Sequence, residues 1–208
     1  MSNEIEIPLS NVNLKGNLDL PQNFDSIIVF AHGSGSSRLS SRNIAVARFL
    51  QGVGFGTLLF DLLTEEEDRD YANRFDIPLL ADRLVGVTNW LGDNESTAGK
   101  TIGYFGASTG AAAALIAAAR LPGIKAVVSR GGRPDLAMPV LDRVNAPVLL
   151  IVGSLDTDVL ELNRQAYEKL TRKKLEIVEG ATHLFEEPGT MEEVMKLSAE
   201  WFEAYLRY

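Results

Sequence analysis

Short runs of β-branched and other apolar residues alternate along this chain with longer segments whose apolar positions recur every three to four residues. The runs SIIVFAH, GTLLFD, TIGYFGAS, KAVVSR, APVLLIVGS and KKLEIV are bounded by Gly, Pro or polar residues, and each reads as a strand. Most are apolar at successive positions, as strands must be when helices cover both faces of a mostly parallel sheet. IEIPL and VNLKGNLDL alternate instead, which predicts an antiparallel hairpin on the sheet edge. Helices are predicted over 40–54, 77–91, 109–121, 159–170 and from residue 191 onward. In the second, Leu80, Leu84, Val87 and Leu91 share one face, Asp76 is placed to cap it, and Pro78 falls in the first turn, where its missing N–H is harmless. The third, TGAAAALIAAARL, is almost wholly Ala and Leu. Side chains that small suit a helix wedged between close neighbours. The expected architecture is α/β, in three layers, with about eight strands and helices on both faces.

The 208 residues can fill one core but hardly two, so a single domain over 1–208 is expected. Twenty-eight acids against twenty Lys and Arg give a net charge of −8, which repels phosphate backbones and anionic lipid. Nucleic acid and membranes are therefore not expected partners. There is no run of 18 apolar residues, and the opening MSNEIEIPLS is acidic where a secretory signal would be basic and then apolar. A cytoplasmic protein, monomer or homodimer, is the expectation. Cysteine is absent, which rules out disulfides, thiolate metal sites and a cysteine nucleophile. Any imidazole base must be His32 or His183, the only two histidines.

Gly106, Ala107, Ser108, Thr109 and Gly110 form G-x-S-x-G between a predicted strand and a predicted helix. On such a turn a serine hydroxyl is held exposed, with the following helix N-terminus aimed at any oxyanion that forms. A neutral serine needs a base to take its proton as it attacks a carbonyl. The chain order that accompanies this turn is serine, acid, histidine, which selects His183 in EGATHLFEEPG. For the acid, GSLDTDVLEL offers Asp156 and Asp158 after a strand; Asp158 reads as a helix N-cap, which favours Asp156. Glu186 and Glu187 read as covering a helix start. The backbone N–H of Thr109 and one from the loop AHGSGSSR, at Ser34 with Gly35 next, are the expected oxyanion donors. GSGSS lacks the Lys-Ser or Lys-Thr that a phosphate-cradling loop carries. His32 is expected to fix that turn by hydrogen bonding. Arg38, Arg130 and Arg133 are candidates for binding a substrate carboxylate, with ion pairing to Asp135 or to the acidic loop TEEEDRD as the competing role.

Taken together, AHGSGSSR, FDLLTEEE, GYFGASTGAAAAL, SRGGRPDLA, LLIVG with LDTDVLELNR, and GATHLFEEPG resemble the dienelactone-hydrolase-related branch of the α/β-hydrolase superfamily over nearly the whole chain. The resemblance implies a small hydrolase without a cap domain, sometimes fused to a phosphoribosyltransferase-like domain, with Ser108, Asp156 and His183 as triad and no cofactor or metal. Two departures stand out. Dienelactone hydrolases proper carry cysteine at the position of Ser108, so dienelactone turnover does not follow. Related sequences have His and Pro where this chain has Leu39 and Ser41, so Leu39 is expected to make the pocket mouth more apolar. The segment before APVLLIV is too short for a cap domain, and the open cleft that results favours small soluble esters or thioesters as substrates. The alternative is a non-catalytic module that captures a ligand on its reactive serine without turning it over.

Overall fold

The computed structural model describes residues 4–207. Eight strands form one sheet: β1 Glu4–Pro8, β2 Asn13–Asp19, β3 Ser26–Ala31, β4 Gly56–Phe60, β5 Thr101–Ala107, β6 Ala126–Arg130, β7 Val148–Gly153 and β8 Lys173–Val178. Their order across the sheet is β1-β2-β4-β3-β5-β6-β7-β8. The alternating segments IEIPL and VNLKGNLDL do form the edge hairpin, with Ile5 opposite Gly16 and Ile7 opposite Leu14, and β2 also runs antiparallel to β4. Every pairing from β4 to β8 is parallel. This is the α/β-hydrolase fold. Parallel strands bring all their carboxyl ends to one edge, so the loops after β3, β5, β6, β7 and β8 gather there.

Five helices cover the sheet: α1 Ser41–Gly52, α2 Ile77–Asp93, α3 Thr109–Arg120, α4 Thr157–Lys169 and α5 Thr190–Leu206. Alternation along β3 divides the core between the two faces. Ile27, Val29 and Ala31 pack toward α2, α3 and α4, while Ile28 and Phe30 pack toward α1 and α5. In α2 the predicted stripe of Leu80, Leu84, Val87 and Leu91 is buried, and Asp76 accepts the N–H of Leu79 at 3.1 Å. The alanine helix α3 lies deep between α2 and the segment after β6, with Ala111 through Leu115 fully buried. Larger side chains would have no room there.

Three details depart from the sequence pattern. KKLEIV becomes the outer strand β8, where Lys174 and Ile177 are exposed and Lys174 pairs with Glu176 at 2.7 Å. Residues Pro134–Arg143 wind into 3₁₀ turns that bury Pro134, Ala137 and Leu141 against α3; Pro139 inside the segment bars an α-helix. The acidic stretch TEEEDRD is not simply a solvated loop, since Glu67 begins a 3₁₀ turn and binds the buried Arg83 at 2.6 Å. Among the described residues no cap domain rises from these connections. Among the described residues no helix is long and apolar enough to cross a membrane.

Candidate active site

Ser108 stands between the end of β5 and the start of α3 with φ 50° and ψ −122°, a conformation that non-glycine residues avoid. The surrounding chain holds it there. Its N–H donates to the Arg130 carbonyl at 3.2 Å, and its own carbonyl accepts from Ala111 and Arg133, each at 3.1 Å. The flanking glycines are sterically required: a Cβ on Gly106 would run into the backbone of Ala111, and one on Gly110 into the carbonyls of Ala31 and His32. The price of this strain is of order 1–3 kcal/mol, offset by the packing of β5 and α3 that it permits.

His183 and Asp156 come from the loops after β8 and β7. These loops are laced together by Ser154 N–H to the Val178 carbonyl at 2.9 Å, Leu155 N–H to Ala181 at 3.0 Å and Gly180 N–H to Ser154 Oγ at 2.8 Å. Across them His183 Nδ1 lies 2.6 Å from Asp156 Oδ2. With Nδ1–H donating to the carboxylate, Nε2 keeps its lone pair free. Asp156, not Asp158, occupies the N-cap position of α4, and its side chain makes no capping bond because it is turned to His183. Asp158 is an exposed residue of the first helical turn. Glu187 meets the start of α5 through its backbone carbonyl, which accepts from Thr190 N–H at 3.1 Å and Thr190 Oγ1 at 2.8 Å, and not through its carboxylate. Its carboxylate accepts from Thr182 Oγ1 at 2.6 Å and Thr182 N–H at 3.1 Å, which clasps the loop carrying His183 and holds the Glu187 carboxyl below the usual range.

Ser108 and His183 line one cavity of about 280 Å³, together with Gly33, Ser34, Ser40, Arg42, Asn43, Arg130 and Leu184. Among the described residues no hydrogen bond joins Ser108 Oγ to the imidazole, as is common before a substrate tightens such sites. On the donor side, the N–H of Thr109 opens the first turn of α3. The Ser34 N–H is not free: it donates to Thr109 Oγ1 at 2.8 Å. His32 fixes the turn as expected from the sequence, with Nε2 accepting from Leu62 N–H at 3.1 Å and Nδ1 donating to the Gly33 carbonyl at 2.9 Å. Its burial lowers the imidazole pKa.

The arginines separate. Arg133 is not among the residues lining the cavity, and one edge of its guanidinium, Nε and Nη2, donates to both oxygens of Asp135 at 2.8 Å. Arg38 is paired with Asp61 at 2.7 Å. Gly35, at φ 69°, turns toward Arg74, and Leu39 is exposed beside a separate groove with Arg38, Ile44 and Arg48. Leu39 is not among the residues lining the cavity at Ser108. Arg130 does reach the cavity, although only 6% of it is exposed. Arg42 and Asn43 were not foreseen, because which face of α1 meets the cavity depends on how the helix docks.

The model of the dienelactone hydrolase family matches residues 15–206. The chain is 52% identical, with a TM-score of 0.96, to a crystal structure of dienelactone hydrolase from Anabaena variabilis, covering 100% of this chain and 99% of that one. Est1E from Butyrivibrio proteoclasticus, at 18% identity and TM-score 0.84 over 98% of both chains, shares the fold. So does an esterase from Pyrococcus furiosus, at 22% identity and TM-score 0.81, covering 99% of this chain and 93% of that one. A Mycobacterium tuberculosis protein provisionally named a phosphoribosyl transferase is 57% identical over 201 residues, 96% of this chain. The chain spans only 45% of the length of that relative. That name therefore describes a protein with as much sequence again outside the matched part. By its family match and its near-superposable relative, this chain belongs to the dienelactone hydrolase family, a family of hydrolases.

Proposed function

We propose that the protein is a serine hydrolase of small esters or thioesters, with Ser108 as nucleophile, His183 as general base and Asp156 orienting the histidine. The observation that carries this reading is the 2.6 Å contact between His183 Nδ1 and Asp156 Oδ2, on the same cavity as a strained, half-buried Ser108. Nε2 takes the hydroxyl proton as Oγ attacks the carbonyl carbon, and the carbonyl electrons move onto oxygen. His183 then returns the proton to the leaving alcohol or thiol as the acyl bond breaks. A water, deprotonated by Nε2, releases the acid and frees Ser108.

The oxyanion is assigned first to the N–H of Thr109, which α3 aims at the site. Ser34 N–H completes the pair once the oxyanion draws it from Thr109 Oγ1, a neutral acceptor that a negative oxygen outcompetes. The small cavity favours short acyl groups. No step requires a cofactor or metal.

Fluorophosphonate labelling read by peptide mass spectrometry, run beside turnover of p-nitrophenyl acetate, tests the reading. The expected result is a label on Ser108 and sustained turnover. A label with no more than one equivalent of p-nitrophenol would indicate a capture module instead, and labelling elsewhere would remove Ser108 from the mechanism.

A further inference from the structure

One wall of the cavity carries more positive charge than a serine esterase needs. Arg130, at the carboxyl end of β6, is 94% buried and faces no carboxylate. Its one side-chain hydrogen bond is a long contact, 3.4 Å from Nη2 to Asn43 Oδ1, and its Nε has no partner. The face of Phe185 lies 5.9 Å from the guanidinium carbon, and Phe185 is itself held at φ 55° to reach that place. Arg42 stands nearby from the first turn of α1. Its Nη1 is bound to Glu186 at 2.9 Å, but its Nε is also buried and unpartnered.

The α1 N-terminus opens on the same space. Asn43 N–H is taken by Ser40 Oγ at 3.4 Å and Ile44 N–H by the Ser40 carbonyl at 2.9 Å. The N–H groups of Ser41 and Arg42 precede the first intrahelical bond and keep no partner within the helix. The Arg130 and Arg42 side chains and the first turn of α1 therefore line the same cavity as Ser108. Two acids pair at this wall, Glu186 with Arg42 and Asp156 with His183. Burial of a guanidinium without a counter-charge is costly, and it is retained here against a chain whose net charge is −8. Burial and Arg42 together lower the Arg130 pKa to about 10, which still leaves it charged at neutral pH.

We propose that Arg130, Arg42 and the first turn of α1 form an oxoanion subsite that receives a phosphoryl group at the non-reacting end of the ester substrate. A carboxylate offers two oxygens in one plane. The donors here belong to three separate groups, two guanidiniums and a helix turn, and a tetrahedral dianion with three terminal oxygens can meet more of them than a carboxylate can. The inference rests on the serine hydrolase reading for the word substrate, but the subsite itself is independent of catalysis.

Inorganic phosphate and malonate are the probes, measured by calorimetry at constant ionic strength on the wild-type protein and on Ser108→Ala. Phosphate is expected to bind both proteins alike, to bind about tenfold more tightly than malonate, and to compete with p-nitrophenyl acetate in the wild type. Arg130→Met should weaken phosphate at least about tenfold, and Arg42→Gln, at a half-buried position in the first turn of α1, by about threefold. Phosphate that binds neither protein at tens of millimolar, or binds unchanged in Arg42→Gln and a folded Arg130→Met, overturns the subsite. Malonate binding as tightly as phosphate overturns the phosphoryl assignment. Loss of turnover in Ser108→Ala with phosphate binding intact keeps the two claims apart; turnover that survives in Ser108→Ala defeats the hydrolase reading without touching the subsite.

Discussion

Replacing Asp156 by asparagine isolates the contact on which the mechanism depends. The carboxylate oxygen accepts the His183 Nδ1 proton at 2.6 Å, with the aspartate side chain 14% exposed. An asparagine of the same shape can turn its amide N–H toward Nδ1, which moves the ring proton to Nε2. The nitrogen facing Ser108 then has no lone pair to receive the hydroxyl proton. In triads of this geometry that inversion costs about ten-thousand-fold in kcat, or about 5.5 kcal/mol of transition-state stabilisation. Because Asp156 makes no helix-capping bond, Asp156→Asn should shift the thermal midpoint by only a degree or two, about what an exposed surface change does. Asp158→Asn is the paired control. That residue is exposed in the first turn of α4, where its charge contributes about 0.3–1 kcal/mol to the helix and nothing to the rate. The assay is p-nitrophenyl acetate hydrolysis at matched protein concentration, with circular dichroism of each variant. A loss under about tenfold in Asp156→Asn, or an equal loss in Asp158→Asn, would refute the reasoning.

Further predictions concern the frame around the site. Gly110→Ala forces a methyl group onto the Ala31 and His32 carbonyls and should destabilise the fold by about 3 kcal/mol or more, read as a thermal midpoint lowered by at least about 6 °C. An unchanged midpoint would show that the strand and helix can separate without cost. His32 is held neutral in the fold, with its pKa lowered, so the unfolded chain takes up a proton first as pH falls. Stability is thus fully present above the unfolded value and is lost as pH drops below about 6.5, and the loss should be shallower in His32→Gln when denaturant midpoints are compared. Equal slopes would remove His32 from the acid response. Glu187→Gln keeps one acceptor for Thr182 but weakens the clasp on the His183 loop, and should reduce kcat about two- to tenfold with KM little changed. A change confined to KM would assign Glu187 to substrate binding.

The features legible in the sequence were those set by local rules. G-x-S-x-G announced its turn because only glycine tolerates the approach of Ala111 and of the Ala31 carbonyl, and the alanine-rich α3 announced its depth. The choice of Asp156 over Asp158 was reached through a capping argument that the structure reverses. Asp156 holds the cap position and leaves it unused, because a partner 27 residues away competes for its carboxylate. Long-range pairing decided the remaining cases. Arg130 met no acid, and Ser34 N–H met the hydroxyl of Thr109, 75 residues distant. Such outcomes follow from how α1 and the loops after β6 and β8 dock on the sheet, which no short window of sequence contains.

The central claim is that Ser108 carries the acyl group through the reaction. Rapid quenching of p-nitrophenyl acetate turnover, followed by peptide mass spectrometry, tests it directly. The account predicts an acetyl group on the peptide at Ser108 Oγ that forms with the first equivalent of p-nitrophenol and decays at the rate of turnover, and no adduct or turnover above background in Ser108→Ala. Sustained hydrolysis in Ser108→Ala, or turnover in the wild-type protein with no acetyl adduct on Ser108 at any quench time, would contradict it.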